Sequence, residues 1–380
     1  MKIRVLFFVS TLESGGPTNV IFNIIKYLNR EIIDPIVVTL SPEPLRTRQG
    51  DFEKMDVAIF KFNQSRLSWM FSGGEKLRAF IDETKPHIIH SHSLRPDVFS
   101  AKHLNAYIRL STIHANLQDN YRNTYNRIVG DYFAYTQIKQ VNHLEKAVAC
   151  ARSVYEVYKN NIRSLGFIPN GVDHEIFIPL SAENILKRRQ KLGIATDRKI
   201  FITVGSLCAR KDPHTVIKGF LKSDFAQESV LLVLGTGELE EELRTTYAKS
   251  PNVVFKGFIQ EVVRYIEVAD YFLSASLSEG LPNTVLEALS CGLPVCLSDI
   301  PAHKEILDID SGAGITFSCG DIAGLSDAIN TLAKKDYSLL RSAATGIIET
   351  ALSARKMSAK YQELYISLYQ EYASKKFNNT

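Results

Sequence analysis

Short apolar runs alternate with longer stretches of helical period along the chain. Residues 3–10 form the first run, and apolar positions then recur at helical spacing over 18–29. Runs at 35–40 and 57–62 follow, then a helical pattern over 74–84, a run at 87–91, and further helix before 109–114. Residues 147–150 and 166–173 close this first half. Turn residues cluster over 169–179, and the pattern restarts with runs at 199–204, 230–234, 253–255, 271–275, 293–298 and 314–316. From about residue 350 the chain reads as helix, with Tyr361, Leu364, Tyr365, Leu368 and Tyr369 on one stripe and a frayed tail over 375–380. Apolar runs without in–out alternation mark strands buried on both faces. Strands alternating with helices predict parallel sheets joined by right-handed crossovers. The pattern predicts an α/β protein of two Rossmann-like domains, residues 1–175 and 176–350, followed by a final helix over 351–380.

Composition bounds this picture without changing it. A length of 380 residues suits two domains, and 45% hydrophobic with 23% charged residues is ordinary for a globular chain. No apolar stretch approaches the roughly 18–20 residues that span a bilayer. The first nine residues look superficially like a signal peptide, but their apolar part is short, no small-residue cleavage site follows, and a buried first strand is the better reading. The five cysteines, Cys150, Cys208, Cys291, Cys296 and Cys319, show no paired spacing, which argues for free thiols in a reducing compartment and against zinc. A net charge of +4 permits an anionic substrate or membrane surface and does not imply nucleic acid.

The most informative stretch is Ser278-Glu279-Gly280-Leu281-Pro282-Asn283-Thr284-Val285-Leu286-Glu287. An apolar run leads into it, Gly280 and Pro282 break the strand, and a helix opens near Pro282. Backbone N–H groups at such a helix start suit a phosphate. Two carboxylates would repel that phosphate, so Glu279 and Glu287 are expected to hold hydroxyls. The plainer alternative makes Glu279 a capping acid and Glu287 an exposed helix position.

With its intervening residues and the Cys291-Gly292-Leu293-Pro294-Val295 that follows, this segment resembles the signature of family 4 retaining glycosyltransferases of the GT-B fold. The resemblance runs through nearly the whole chain and implies two Rossmann-like domains facing a central cleft, with the last helix crossing back to the N-terminal domain. It implies a nucleoside diphosphate sugar donor, a glycan or lipid-linked glycan acceptor, and no metal or other cofactor. The family's roles put Glu279 on the donor sugar and Glu287 on the ribose, with Gly280, Leu281, Asn283, Thr284 and Val285 around them.

Other motifs fit the same frame. Ser14-Gly15-Gly16-Pro17 is either a tight strand-to-helix turn or, by resemblance, the glycine loop that faces the diphosphate and acceptor. Gly205-Ser206-Leu207-Cys208-Ala209-Arg210-Lys211 matches the family's glycine–arginine–lysine pattern with Lys211 in the lysine position and Ser206 where arginine is commonest. Arg210 is a substitute cation, although adjacent side chains usually point apart. Gly235-Thr236-Gly237 lacks the third glycine of a dinucleotide site, and resembles a loop that lines the nucleotide pocket. Phe258 is read either as a platform for the base or as ordinary core. His114 ends a strand where the family places a histidine close to the donor sugar. Alternation sends His90 and His92 to one face, and with no third ligand evident a structural or acceptor-side role is favoured over metal. Asp308 and Asp310 are read as solvated.

The resemblance implies retention of anomeric configuration by front-face attack, with Lys211, Arg210 and the amides at 283–285 stabilising the leaving diphosphate. Phe99, Tyr107, Tyr121, Tyr125 and Tyr132 interleave with Lys102, Arg109, Arg122 and Arg127. They mark either a half-buried helical region or a patch for an anionic membrane, where a polyprenyl-diphosphate-linked acceptor of surface polysaccharide or O-antigen assembly would lie. That placement implies a cytoplasmic protein at the inner membrane face. Competing readings are a nucleotide-sugar 2-epimerase and a non-catalytic nucleotide-sugar-binding subunit. A phosphorylase would need a far longer chain.

Overall fold

The computed structural model describes residues 2–63 and 73–378. The chain divides into two units, one formed by Met1–Asn170 with Ala354–Thr380 and the other by Gly171–Ser353.

The first unit holds a seven-stranded sheet of β1 (Ile3–Val9), β2 (Ile33–Thr39), β3 (Ala58–Lys61), β4 (Ile88–His92), β5 (Ile108–Ile113), β6 (Lys146–Ala149) and β7 (Leu165–Phe167). Their order is β3-β2-β1-β4-β5-β6-β7, and every pairing is parallel. The unbroken apolar run of β1 has a direct cause. Val5, Phe7 and Val9 face one buried cluster, and Leu6 and Phe8 face another on the opposite side of the sheet. The strand order reverses between β1 and β4, which leaves a crevice at their carboxyl ends where open α/β sheets take ligands.

Helix Ala354–Asn378 belongs to this first unit. Met357, Tyr361 and Tyr365 are buried against Phe7, Ile25 and Val148, with Leu364, Leu368 and Tyr369 packed at the margin. The two tyrosines also satisfy polar groups beneath them. Tyr365 Oη lies 2.8 Å from His90 Nδ1, and His90 Nε2 lies 2.7 Å from Thr112 Oγ1. Thr112 Oγ1 in turn meets Tyr361 Oη at 2.9 Å. The helix continues to Asn378, past the position where a frayed tail was expected; residues 379–380 lie outside the described residues.

The second unit holds a six-stranded sheet of β8 (Lys199–Val204), β9 (Ser229–Leu234), β10 (Val253–Gly257), β11 (Tyr271–Ser274), β12 (Val295–Ser298) and β13 (Gly314–Phe317). Their order is β10-β9-β8-β11-β12-β13, again parallel throughout. Phe201, Leu231, Val233, Tyr271 and Leu273 form the centre of its core. Order reverses here between β8 and β11, so the loops leaving those two strands flank the crevice. Among the described residues no helix is long and apolar enough to cross a membrane.

Tyr365→Phe removes the hydroxyl from a fully buried histidine and leaves His90 Nδ1 without that partner. The expected cost is about 1–3 kcal/mol, read as a lower urea midpoint at unchanged slope. An unchanged midpoint would show that apolar packing alone docks the final helix.

Candidate active site

The second unit builds its site from the two loops at the reversal of strand order. After β8, residues 205–208 run extended into a short 3-10 turn at Ala209–Lys211. Asp212 then adopts a left-handed φ of 43° and caps helix Pro213–Lys222 by accepting from the Thr215 amide. After β11, residues 275–282 lead to helix Asn283–Ser290, whose N-cap position is taken by Pro282 and which has no side-chain cap among the described residues. The Leu277 amide donates to the Arg210 carbonyl at 2.8 Å, tying the two loops together.

Glu279 is the centre of this junction. Arg210 Nη1 donates to Glu279 Oε2 at 2.9 Å and to the Ser278 carbonyl at 2.7 Å, while Lys211 Nζ pairs with Glu279 Oε1. The Glu279 side chain is 9% exposed, against 24% for Arg210 and 19% for Lys211. Burial alone would raise its pKa, but Lys211 and Arg210, with hydrogen bonds from Lys211 and Ser276, hold the carboxyl down at about 2. Arg210 and Lys211 therefore converge on one carboxylate, contrary to the expectation that neighbouring side chains diverge. The tight turn and the reach of both side chains allow each to take its own oxygen.

An open hollow of about 310 Å³ lies beside this cluster, lined among others by Gly205, Ser206, Lys211, Leu234, Ser274 and Ser276. Ser206, in place of the commoner arginine, thus lines space next to Lys211. The Gly235-Thr236-Gly237 loop packs directly on the 205–208 segment, with the Leu207 amide donating to the Thr236 carbonyl at 3.0 Å. A Cβ at Gly235 (φ +132°) would fall 1.8 Å from the Gly205 carbonyl oxygen, and one at Gly237 would fall 2.3 Å from that of Leu207. Both glycines are needed for close approach of two loops, whatever a ligand requires.

The remaining positions in this unit are resolved one by one. Gly280, Leu281 and Val285 are buried, and Asn283 and Thr284 are half-buried at the helix start. Glu287 is 6% exposed, so the reading of an exposed helix position does not hold. Phe258 follows β10 and is 40% exposed, which rules out ordinary core. Asp308 and Asp310 are exposed, and Asp310 caps a turn by accepting from the Gly312 amide.

Sequence reasoning missed His303, Ser276 and Ser298. His303 is fully buried and its Nδ1 lies 2.9 Å from the Ser298 carbonyl, which only accepts, so Nδ1 carries the proton. Burial pushes its pKa down to about 4, against an opposing pull from the Glu279 charge. Ser298 Oγ donates to the Ser276 carbonyl at 2.6 Å, bracing the loop that carries Glu279. The only sequence signal was the place of Ser276 and Ser298 at or just past strand ends, whereas His303 lies inside helix Pro301–Leu307.

In the first unit, Gly15 precedes helix Gly16–Tyr27, and Gly15, Gly16 and Pro17 are all exposed. A Cβ at Gly15 would meet nothing within 4 Å, so packing does not demand glycine there. His114 follows β5, and its Nε2 lies 2.9 Å from Nδ1 of His92 at the end of β4. The His92 ring also lies 4.1 Å from that of His90, centroid to centroid. The third imidazole absent from the local sequence is thus His114. Among the described residues no group of three His, Cys, Asp or Glu side chains is placed to hold a metal ion.

The aromatic and basic patch forms only in part: Lys102, Arg122, Tyr125, Arg127 and Tyr132 are exposed, and the others are buried or half-buried. Phe99 is buried, Arg109 is buried on Glu145, Tyr107 donates to Asp82, and Tyr121 donates to Gln137. Arg122 pairs with Asp131. The exposed apolar face instead comprises Ile128 (83%), Tyr132 (64%) and Tyr135 (64%) on helix Arg127–Val141.

The fold is of the GT-B type, and the chain is a glycosyltransferase. Residues 14–176 match "Glycosyltransferase Family 4" and residues 184–347 match "Glycosyl transferases group 1", and the chain belongs to the family 4-type glycosyltransferases. It is 25% identical over 388 aligned positions to the O-antigen biosynthesis glycosyltransferase WclY of Escherichia coli, covering 97% of this chain and 99% of the relative. It is 26% identical over 234 positions to the UDP-Gal:alpha-D-GlcNAc-diphosphoundecaprenol alpha-1,3-galactosyltransferase of the same species, covering 60% of this chain and 59% of that relative. The fold is similar to that of Anabaena HepE in complex with UDP, with a TM-score of 0.80, 17% identity, and coverage of 97% of this chain and 100% of that one.

Glu279→Ala leaves two partly buried cations facing each other without their carboxylate, whereas Lys211→Ala leaves Glu279 paired with Arg210. Removing the carboxylate is expected to cost on the order of 2 kcal/mol, clearly more than Lys211→Ala. Thermal unfolding of both variants checks this. Equal melting temperatures would show that the three groups are not coupled.

Proposed function

We propose that this glycosyltransferase moves a hexosyl group from a UDP-sugar to a hydroxyl of a glycan carried on polyprenyl diphosphate, with retention at the anomeric carbon. The observation that carries the reading is the convergence of Arg210 and Lys211 on Glu279 at the reversal of strand order. The two cations, with the amides of Asn283 and Thr284, receive the diphosphate, and Glu279 accepts hydrogen bonds from hydroxyls of the donor sugar; the Val285 amide already donates to the Pro282 carbonyl. Glu287 takes the ribose. Phe258 supports the base, while Gly235, Gly280 and Leu281 shape the pocket. Gly15, Gly16 and His114 serve the donor and acceptor from the first unit. The cations and helix start supply the positive charge the departing diphosphate needs, so the reaction is assigned as independent of metal and cofactor.

In the transfer, the bond from the anomeric carbon to phosphate oxygen breaks as the acceptor oxygen attacks from the same face. The acceptor proton passes to the leaving phosphate oxygen. A double displacement would need a carboxylate beneath the anomeric carbon. Glu279 is occupied by two cations and is assigned to hydroxyls, so front-face attack is favoured. A covalent glycosyl–protein adduct trapped in mass spectra would overturn it.

The acceptor class draws support from the relatives that act in O-antigen biosynthesis and on a diphosphoundecaprenol-linked sugar. Ile128, Tyr132 and Tyr135, at one-turn and two-turn spacing, present an apolar face flanked by Arg127 and Lys139, suited to an anionic membrane interface. The assigned location is the cytoplasmic side of that membrane.

UDP-sugars are expected to raise the melting temperature above GDP-, ADP- and dTDP-sugars. In Lys211→Ala that shift should vanish and transfer should fall by about 10²–10³. A shift retained in the variant would remove Lys211 from the diphosphate. Wild-type protein should float with phosphatidylglycerol liposomes, and Tyr132→Ser/Tyr135→Ser should stay in solution. Equal flotation of both would remove this face from the membrane.

A further inference from the structure

We propose that His92 is a positioning residue which donates its Nδ1–H to His114 Nε2 and so fixes His114 as the neutral Nδ1–H tautomer, a hydrogen-bond donor toward an oxygen of the substrate. The argument begins with geometry. His92 Nδ1 and His114 Nε2 are 2.9 Å apart, so one donates and the other accepts. His92 Nε2 and His114 Nδ1 are both buried atoms without a hydrogen-bond partner. Burial holds His92 well below its usual range and His114 down at about 4, so both rings are neutral at pH 7 and each carries one proton.

Two arrangements are then possible. If His114 donated, the second nitrogen of His92 would carry an orphaned N–H. His92 is 2% exposed, with the Phe7 ring stacked at 6.3 Å and the His90 ring at 4.1 Å. Both nitrogens of His90 are already engaged, by Tyr365 and Thr112, and offer nothing to His92. An orphaned buried N–H is rarer and more costly than a bare lone pair. If His92 donates instead, the unpartnered N–H falls on His114. That nitrogen is a buried atom too, but its ring is half-buried just past the carboxyl end of β5, beside β4 and the reversal of strand order, where a ligand can approach it.

A chemical restriction follows. The lone pair of His114 is spent on His92, so His114 does not act as a base toward the acceptor hydroxyl. Its Nδ1–H is left for an acceptor atom that reaches it, such as a sugar or phosphate oxygen. This consequence rests on the proposed contact of His114 with substrate, whereas the tautomer stands on the fold alone.

The test is a long-range proton–nitrogen NMR experiment on the full chain labelled with nitrogen-15 histidine. His114 Nδ1 is expected in the protonated, pyrrole-like range and Nε2 in the unprotonated, pyridine-like range. His92→Leu should mix the two forms and lower kcat about tenfold, and His92→Asn, which keeps an N–H at the Nδ1 position, should restore both. A protonated Nε2 on His114 in the wild-type protein would overturn the proposal, and this readout does not depend on either variant folding. Unchanged transfer in His114→Ala, with the tautomer as assigned, would instead sink the substrate contact and leave the positioning role of His92 standing.

Discussion

Glu279 is ionised in a place that would by itself neutralise it. Burial raises its pKa, and only the paired charges of Arg210 and Lys211, one on each oxygen, bring it down to about 2. Three parts of the second unit depend on that balance. The loop after β8 is bound to the loop after β11, the helix start at Asn283 is placed beside both, and the glycine loop after β9 rests on the first of them. The cluster carries two positive groups and one negative, so it remains net positive, which is the charge the proposed diphosphate site requires. Glu279 stays a pure acceptor, which is what a carboxylate needs in order to hold sugar hydroxyls.

The first unit solves a related problem with neutral groups. The buried imidazole of His90 is satisfied by Tyr365 and Thr112, and Thr112 is satisfied by Tyr361. The final helix therefore supplies hydroxyls to the sheet as well as apolar area. This is a direct reason why Ala354–Asn378 packs on the first unit, although the second unit precedes it in the chain. It also frees His92 from serving His90, leaving its Nδ1 for His114.

What the sequence made legible follows from how local each cause is. Strand positions could be read because β1, β8 and β11 carry short, mostly apolar runs with buried centres. Glu279 and Lys211 could be read because each lies in a loop directly after such a strand. The convergence of Arg210 could not be read, because it depends on a 3-10 turn and a left-handed Asp212 that no residue pattern announces. The His92–His114 pair joins neighbouring strands across 22 positions, so no window on the sequence contains it. The aromatic and basic patch was only partly legible, for a different reason. Helical spacing shows that side chains share an element, but not which of Phe99, Tyr121 or Tyr132 the core takes. In Gly235-Thr236-Gly237 the residues were noticed, yet loop-on-loop contact explains both glycines.

In each unit the groups assigned to the reaction constrain where a proton can go. The second unit offers two cations and a carboxylate whose pKa of about 2 makes it a poor base at neutral pH. Its buried imidazole, His303, is protonated on the nitrogen that faces the Ser298 carbonyl, and it lies fully inside the protein. In the first unit the Nδ1–H of His114 is assigned as a donor. None of these assigned side chains is a free base for the acceptor hydroxyl. The remaining group with rising basicity during the reaction is the phosphate oxygen from which the sugar departs. Holding Glu279 between two cations thus favours letting the substrate carry its own base.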